Sequence, residues 1–305
     1  MKSDSLILSA KKHVINNLPH DRDDLLTSCY LASLNPGELI ILYLNWLSRF
    51  IPPRPRKIYL SPEFKHYADL DEYDRSIRKV LSEIEQGVDL TLRLSTRTMH
   101  GFDLVSTGKK NLGRSKHLDL LLNDWSIHHL HCSNEQSERS KYLIFGHFAA
   151  DEAFLLDVRP HGQWSAIALA EISVRNWPNA GYFIELKGLL PPQDWTENER
   201  AGLRNAGLSA PICVDRKLFT GRKILASAGT TVIHAKYATY IMRTLRQVDV
   251  LLAKDPAYFN NLAAGYAVRL PDKPLFEFTF TRDGFGIVEN STGEIIGLGR
   301  HPASL

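Results

Sequence analysis

Apolar residues recur at three- and four-residue spacing over residues 18–50, and this periodicity predicts two helices. The turn Asn35-Pro36-Gly37 separates them, because proline suits the first position of a helix. The next stretch, RFIPPRPRKIYLSPEF, has four prolines in eleven residues. Proline cannot continue a helix, so we expect an extended linker or basic arm in which Arg54 and Arg56 are exposed.

The middle of the chain carries a strand pattern. SIHHLHC is predicted as a strand, and KYLIFGHF and EAFLLDVRPH are two β-prone runs whose short separation is typical of a hairpin. SAIALAEISVRNWP follows as an amphipathic helix that must end before Pro178. Near the end of the chain, LFEFTFTRDGFGIVENSTGEIIGLG alternates like paired strands with tight turns at Asp283-Gly284 and Thr292-Gly293.

These elements predict an α+β fold, with a helical N-terminal part followed by a mixed or antiparallel sheet with packed helices. We divide the chain at the end of the proline-rich stretch. Residues 1–60 form the helical part with its proline- and arginine-rich arm, and residues 61–305 form the α+β domain that contains the histidines and arginines discussed below.

Composition narrows the class of protein. Three scattered cysteines without a CxxC pair indicate a reducing compartment, so we expect a cytoplasmic protein. No signal peptide is evident, and no run approaches the roughly 18 apolar residues of a membrane span, so we expect no membrane partner. The net charge is only +3, but the basic residues are concentrated in the stretch between Arg93 and His117. Lys110, Arg114 and Lys116 in that stretch are candidates for contacting a phosphate backbone.

The most unusual segment is SIHHLHC, which holds three of the twelve histidines and one of the three cysteines. On a strand, His129 and His131 would share one face and His128 would point the other way. Three interpretations stay open: a zinc site built on the H-x-H pair, an acid–base site, or ordinary polar strand ends. A zinc site needs a further ligand, for which His147, His161, Cys132 and Asp157 are candidates.

Acid–base chemistry on RNA needs no metal. Attack by the 2′-hydroxyl requires a base, an acid and cations around the phosphorus, which are roles suited to histidine and arginine. The chain concentrates both residue types between residues 128 and 161. The predicted catalytic residues are His129, His131, His161, Arg159 and Arg139, and the predicted substrate-binding residues are Lys110, Arg114, Lys116, Lys141, His147 and Trp164.

The stretch RSKYLIFGHFAADEAFLLDVRPHGQWSAIALAEI, at about residues 139–172, resembles the second half of bacterial RNase toxins of the RelE/HigB type. In those toxins an arginine precedes two hairpin-linked strands, basic or histidine side chains follow the second strand, and a helix returns over the sheet. The resemblance implies that Arg139, Arg159 and His161 bind phosphate or transfer protons.

The sequence thus predicts a metal-independent endoribonuclease of toxin or phage-defence type that acts on RNA without a cofactor. The prediction allows for a neutralising protein partner and leaves the oligomeric state open. One alternative is a protein that binds nucleic acid or another protein without catalysis. The other is a metal-dependent hydrolase or nuclease. For a single site, at least two of His129, His131, His147, Arg159 and His161 should share an accessible cleft.

Overall fold

The computed structural model describes residues 5–65, 74–102, 104, 118–133, 142–161, 166–189, 195–255, 258–264 and 269–301. Its helices are α1 (Leu6–Asn17), α2 (Leu25–Ser33), α3 (Pro36–Leu47), α4 (Pro62–Lys65), α5 (Asp74–Gln86), α6 (Thr96–His100), α7 (Leu120–Trp125), α8 (Ala166–Asn176), α9 (Glu197–Asn205), α10 (Val232–Lys254) and α11 (Tyr258–Ala264). Its strands are β1 (Lys57–Leu60), β2 (His128–His131), β3 (Tyr142–Phe148), β4 (Glu152–Pro160), β5 (Phe183–Glu185), β6 (Ile212–Val214), β7 (Lys217–Gly221), β8 (Phe276–Thr281), β9 (Gly284–Glu289) and β10 (Ile295–Arg300). The predicted α+β class and the helical N-terminal part are confirmed.

The chain folds into two compact units, one made of Met1–Leu44 with Ile233–Leu305 and the other of Asn45–Val232. This division differs from the boundary predicted at residue 60. The reason is that β1, directly after the proline-rich stretch, pairs in parallel with β4 and so joins the sheet of the second unit.

The first unit combines N-terminal helices with the C-terminal strands, which form an antiparallel sheet in the order β10-β9-β8. Helix α1 is anchored to this sheet, since the Ser9 hydroxyl accepts a hydrogen bond from the Phe278 backbone N–H at 2.8 Å. The predicted hairpin between β8 and β9 is confirmed.

The second unit contains a four-stranded sheet in the order β1-β4-β3-β2, in which only the β1–β4 pair is parallel. Both faces of this sheet are covered, which is why β3 and β4 are nearly continuous apolar runs. On one face Phe145 packs with Trp125 and with Leu169 of α8. On the other face Ile144 packs with Val80 of α5.

A smaller antiparallel sheet, β5-β7-β6, completes the second unit. Strand β7 ends so close to α7 that a Cβ atom on Gly221 would lie 2.2 Å from the Asp124 carbonyl oxygen. Only glycine allows that approach. It places the loop after β7, including Lys223, next to the α7 region.

The proline-rich stretch corrects one expectation. Arg56 was expected to be exposed, but only 5% of it is accessible. Its guanidinium donates to the carbonyls of Ala149, Arg54 and Pro52 at 2.8, 3.1 and 3.0 Å. These backbone carbonyls therefore receive their hydrogen bonds from a side chain and not from a neighbouring strand. Burial lowers the pKa of Arg56 to about 10.

No helix in the described ranges is both long enough and apolar enough to cross a lipid bilayer.

Candidate functional site

The histidine-rich strand β2 pairs antiparallel with β3, which places His129 opposite Phe145 and His131 opposite Leu143. His129 and His131 occupy alternate positions on one face, as the spacing predicts. Their surroundings nevertheless differ. The His129 ring lies 6.2 Å from the Phe145 ring and lines a cavity, whereas the His131 ring stacks on His161 at 6.2 Å.

The cavity beside His129 has a volume of about 350 Å³ and is lined entirely by residues of the second unit. Its charged lining residues are Arg49, Arg97, Asp119, His129 and Arg204. We call this constellation the arginine cleft. It brings together the end of α3, the start of α6, the start of α7, strand β2 and helix α9.

Hydrogen bonds between buried polar groups fix the walls of the arginine cleft. Asn123 of α7 donates to the Asn45 side-chain oxygen at 2.8 Å and to the Gly229 carbonyl at 2.9 Å. The indole N–H of Trp46 donates to the Thr98 carbonyl at 3.0 Å, which holds the α6 region against α3. The backbone that carries the charged groups is therefore well supported.

Arg49 is the most unusual residue of the arginine cleft. It is only 6% exposed, and no described residue forms a hydrogen bond with its Nε or Nη2. These two nitrogens form one edge of the guanidinium, whose parallel N–H groups match two oxygens of one oxyanion. Burial lowers the pKa of Arg49, although the nearby Asp119 carboxylate acts in the opposite direction.

Arg93, in the same unit, shows how such an edge is ordinarily used. Its Nε and Nη2 donate to the two carboxylate oxygens of Glu83, and its Nη1 donates to the Cys132 carbonyl at 2.7 Å. Arg93 is only 1% exposed, so both arginines are buried, but of the two only Arg93 pairs with a carboxylate among the described residues. Within that part of the chain, the edge of Arg49 is a two-pronged donor set that is left vacant, unlike the edge of Arg93.

Arg204 is held at the side of the arginine cleft by two contacts. Its Nε donates to Asp124 at 3.0 Å, and its guanidinium carbon lies 4.3 Å from the centre of the Trp125 ring. Within the described residues its two terminal nitrogens have no further partner. Arg97 is exposed at the rim. Two guanidinium groups can thus reach a ligand that is bound at Arg49.

Asp119 is the one carboxylate among the charged lining residues of the arginine cleft. Its Oδ1 accepts from the Leu122 backbone N–H at 3.0 Å, which caps α7. Its Oδ2 lies 3.7 Å from Nδ1 of His129. A carboxylate facing one ring nitrogen favours a proton on that nitrogen and leaves Nε2 available for proton transfer.

Lys223 adds a further buried cation near the arginine cleft. It is 8% exposed, and the described part of the chain gives its Nζ no hydrogen-bond or ion-pair partner. Burial lowers its pKa to about 8, and Asp119 is the carboxylate that opposes this change. Asp119 thus faces two buried cations, Arg49 and Lys223.

His147 was expected to bind substrate, and the structure corrects this expectation. It is fully buried, its Nδ1 lies 2.9 Å from the Ser126 carbonyl, and its Nε2 lies 2.9 Å from the Ser173 hydroxyl. Its ring stacks on Tyr182 at 3.8 Å. Burial lowers its pKa to about 3, so the ring is a neutral and inaccessible part of the core.

His128 lies on the face of β2 opposite His129. Its Nε2 is 3.3 Å from the Ser48 carbonyl, and its ring meets Phe148 edge-on at 5.6 Å. Burial lowers its pKa to about 3. A structural role for His128 follows from these contacts.

Three of the other predicted catalytic residues, His131, Arg159 and His161, do not line the arginine cleft. Arg159 uses its Nε to pair with Asp157 at 2.5 Å, while His161 is exposed and stacks on His131. None of these residues lines the cavity beside His129. The histidines that were expected to share one site are therefore divided between a His131–His161 pair and the arginine cleft, which contains His129.

The predicted residues that lie outside the described part of the chain are Arg139, Lys110, Arg114, Lys116, Lys141 and Trp164.

The zinc interpretation requires at least three converging ligands. Within the described ranges, no group of three His, Cys, Asp or Glu side chains is placed so that it could hold a metal ion. The two rings of the H-x-H pair in β2 have different neighbours, Phe145 for His129 and His161 for His131.

Compared with protein-family models, with curated proteins and with solved structures, the chain shows no significant match. The resemblance of residues 139–172 to RelE/HigB-type toxins therefore rests on its sequence pattern alone. The function has to be inferred from the geometry of the arginine cleft.

Proposed function

We propose that the arginine cleft binds the phosphate groups of RNA. The observation that carries this proposal is the vacant edge of Arg49, a buried guanidinium whose Nε and Nη2 have no partner in the described part of the chain. A buried donor without a partner costs folding free energy, so such a group is expected where a ligand supplies the missing acceptor. Phosphate oxygens fit that edge through two parallel charge-assisted hydrogen bonds.

The neighbours of Arg49 favour phosphate over a simple carboxylate. Arg204 offers two terminal nitrogens and Arg97 is exposed at the rim, so the lining holds more donors than the two oxygens of a carboxylate can use. The cavity volume of about 350 Å³ lies at the lower end of the range for small-molecule sites, which suits one nucleotide unit.

The test is RNA binding followed by fluorescence anisotropy. Arg49→Ala and Arg97→Ala should each weaken the binding of a short single-stranded RNA and reduce its dependence on salt concentration. The matched control is Arg175→Ala, which removes the same charge from an exposed position whose partners are the surface acids Glu171 and Asp215. Equal effects of the three substitutions, or RNA binding that none of them changes, would contradict the proposal.

RNA cleavage is a second candidate function, and the His129–Asp119 contact is the observation that favours it. A histidine oriented by a carboxylate beside a phosphate-binding group is a suitable acid–base catalyst. On this proposal Arg49 and Arg204 hold the phosphate, and His129 takes the proton from the 2′-hydroxyl as its oxygen attacks phosphorus. The protonated His129 then gives that proton to the 5′-oxygen as the bond between this oxygen and phosphorus breaks. Cleavage of RNA that is insensitive to a chelator and lost in His129→Ala would support this activity over binding alone.

A further inference from the structure

We propose that the arginine cleft selects a terminal phosphate, that is, a phosphomonoester, over the internal phosphodiesters of an RNA chain. This inference rests on the proposed phosphate-binding function and specifies its ligand class. Three features of the arginine cleft carry it: its charge balance, its number of free donors and the depth of Arg49.

The charge balance leaves an excess of about two positive charges, which a phosphomonoester matches near neutral pH. Arg204 is already paired with Asp124. The remaining cations of the lining are Arg49 and Arg97, and the buried Lys223, which does not line the cavity, is a third cation nearby. The lining contains one carboxylate, Asp119, which interacts electrostatically with Arg49 and Lys223. An internal phosphodiester carries one negative charge and would leave part of this excess uncompensated in a partly buried site.

The free donors fit three oxygens better than two. The edge of Arg49 engages two oxygens of one phosphate, and the terminal nitrogens of Arg204 can take a third. A phosphomonoester has three terminal oxygens that all accept strong hydrogen bonds. A phosphodiester has two, because its other two oxygens continue into the chain.

The depth of Arg49 favours the end of a chain. Arg49, Thr98 and Leu121 each have 6% of their surface exposed, so they form the floor of the arginine cleft, while Arg97 is exposed at its rim. A terminal phosphate can reach that floor with one flanking nucleotide. An internal phosphate would have to bring a nucleotide on each side into a cavity of about 350 Å³.

Two sources could supply a phosphomonoester, namely an RNA end and a free mononucleotide. The experiment therefore compares the affinity of the full chain for RNAs of one sequence that end in a 5′-phosphate, in a 3′-phosphate or in hydroxyls only. Adenosine 5′-monophosphate and adenosine are titrated in parallel. We expect a phosphorylated end to increase affinity on the order of tenfold or more, the effect of one to two charge-assisted hydrogen bonds.

Arg49→Lys tests the vacant edge directly, since lysine keeps the charge and lacks the two-pronged donor set. It should remove most of the preference for phosphorylated ends. Arg97→Ala, at an exposed position, should weaken it without affecting folding, and Arg175→Ala should preserve it. Tryptophan fluorescence verifies that each variant is folded.

The possible outcomes separate the two proposals. Equal affinity for all three RNAs, with loss of binding in Arg49→Ala, would overturn the selection of terminal phosphates and leave RNA phosphate binding in place. If adenosine 5′-monophosphate binds and no RNA does, the result supports a phosphomonoester as the ligand and overturns the proposal that RNA supplies it. If the protein binds no RNA, and no phosphate-bearing probe binds better than its hydroxyl counterpart, both the phosphate-binding proposal and the terminal-phosphate proposal are overturned.

Discussion

Replacing Arg49 by methionine should stabilise the ligand-free protein. Methionine fills a similar apolar volume and has no hydrogen-bond donor to satisfy. Arg49 is 6% exposed and its Nε and Nη2 have no partner among the residues that the structure describes, so folding removes two donors from water without compensation there. A residue that is kept in this state must contribute something other than stability, and we infer that this contribution is ligand binding.

The magnitude follows from the two unpartnered donors of Arg49. Each buried donor without a partner costs about 1–3 kcal/mol. Loss of the attraction between Arg49 and Asp119 offsets about 1 kcal/mol of the gain, as for other partly exposed pairs. We therefore expect Arg49→Met to raise the free energy of unfolding of the second unit by about 1–5 kcal/mol.

Urea and thermal unfolding followed by tryptophan fluorescence will measure this change. All five tryptophans lie between residues 46 and 195, so the signal comes from the second unit. Each kcal/mol should raise the midpoint temperature by about 2–4 °C for a unit of this size. Added phosphate should stabilise the parent protein and leave Arg49→Met unchanged.

Arg93→Met is the matched control for Arg49→Met. It removes an equally buried guanidinium that has partners, leaving Glu83 and the Cys132 carbonyl without their donor. Breaking such a pair should destabilise the protein by about 3–5 kcal/mol. If Arg49→Met destabilises the protein as Arg93→Met does, Arg49 is a structural residue and the argument for a vacant phosphate site fails.

Three further outcomes are expected. His129→Ala should lower chelator-insensitive RNA cleavage by about 10²-fold or more, and His131→Ala should leave it near the parent rate; equal losses would contradict the arginine cleft as the catalytic site. Burial lowers the pKa of His147 to about 3, so its contribution to stability is complete above the unfolded-state pKa of about 6.5 and is lost as the pH falls from there towards 3. At pH 5 the loss should be about 2 kcal/mol, and urea titrations of His147→Gln should lack it. Burial lowers the pKa of Lys223 to about 8, so stability should rise by about 3 kcal/mol between pH 8 and 10.5 in the parent and stay level in Lys223→Met.

Local sequence patterns predict much of the fold. The short separation of two β-prone runs gives the β3–β4 hairpin, and strict alternation places His129 and His131 on one face of β2. Both features depend on residues that are close together in the chain, so a local residue pattern is enough to predict them. The parallel pairing of β1 with β4 joins residues that are far apart in the chain, and no local pattern specifies it. The predicted boundary at residue 60 fails to match the two units for that reason.

The central residue of the candidate site was not predicted for a similar reason. Arg49 stands at the start of a stretch rich in proline and arginine, where the pattern favours exposed basic side chains. Its burial depends on the docking of α6 and α7 against the end of α3, through contacts such as that between Asn45 and Asn123. The prediction that Arg56 is exposed was wrong for the same reason. Residue propensities do not indicate that a guanidinium will donate hydrogen bonds to nearby backbone carbonyls. The available signal was a charged residue two positions after the apolar helix α3.

Asp119 has two roles, because it caps helix α7 and also places a carboxylate oxygen near His129 in the arginine cleft. An aspartate before the apolar run LLLNDW is an ordinary helix cap, and its Oδ1 performs that role at Leu122. Because the cap fixes the carboxylate, Oδ2 is held 3.7 Å from His129 and within electrostatic range of Arg49 and Lys223. One carboxylate cannot neutralise two buried cations, so the folded chain retains a positive excess at the arginine cleft. That excess follows from a local capping preference combined with tertiary burial, and it makes an anion the ligand class that this cavity should select.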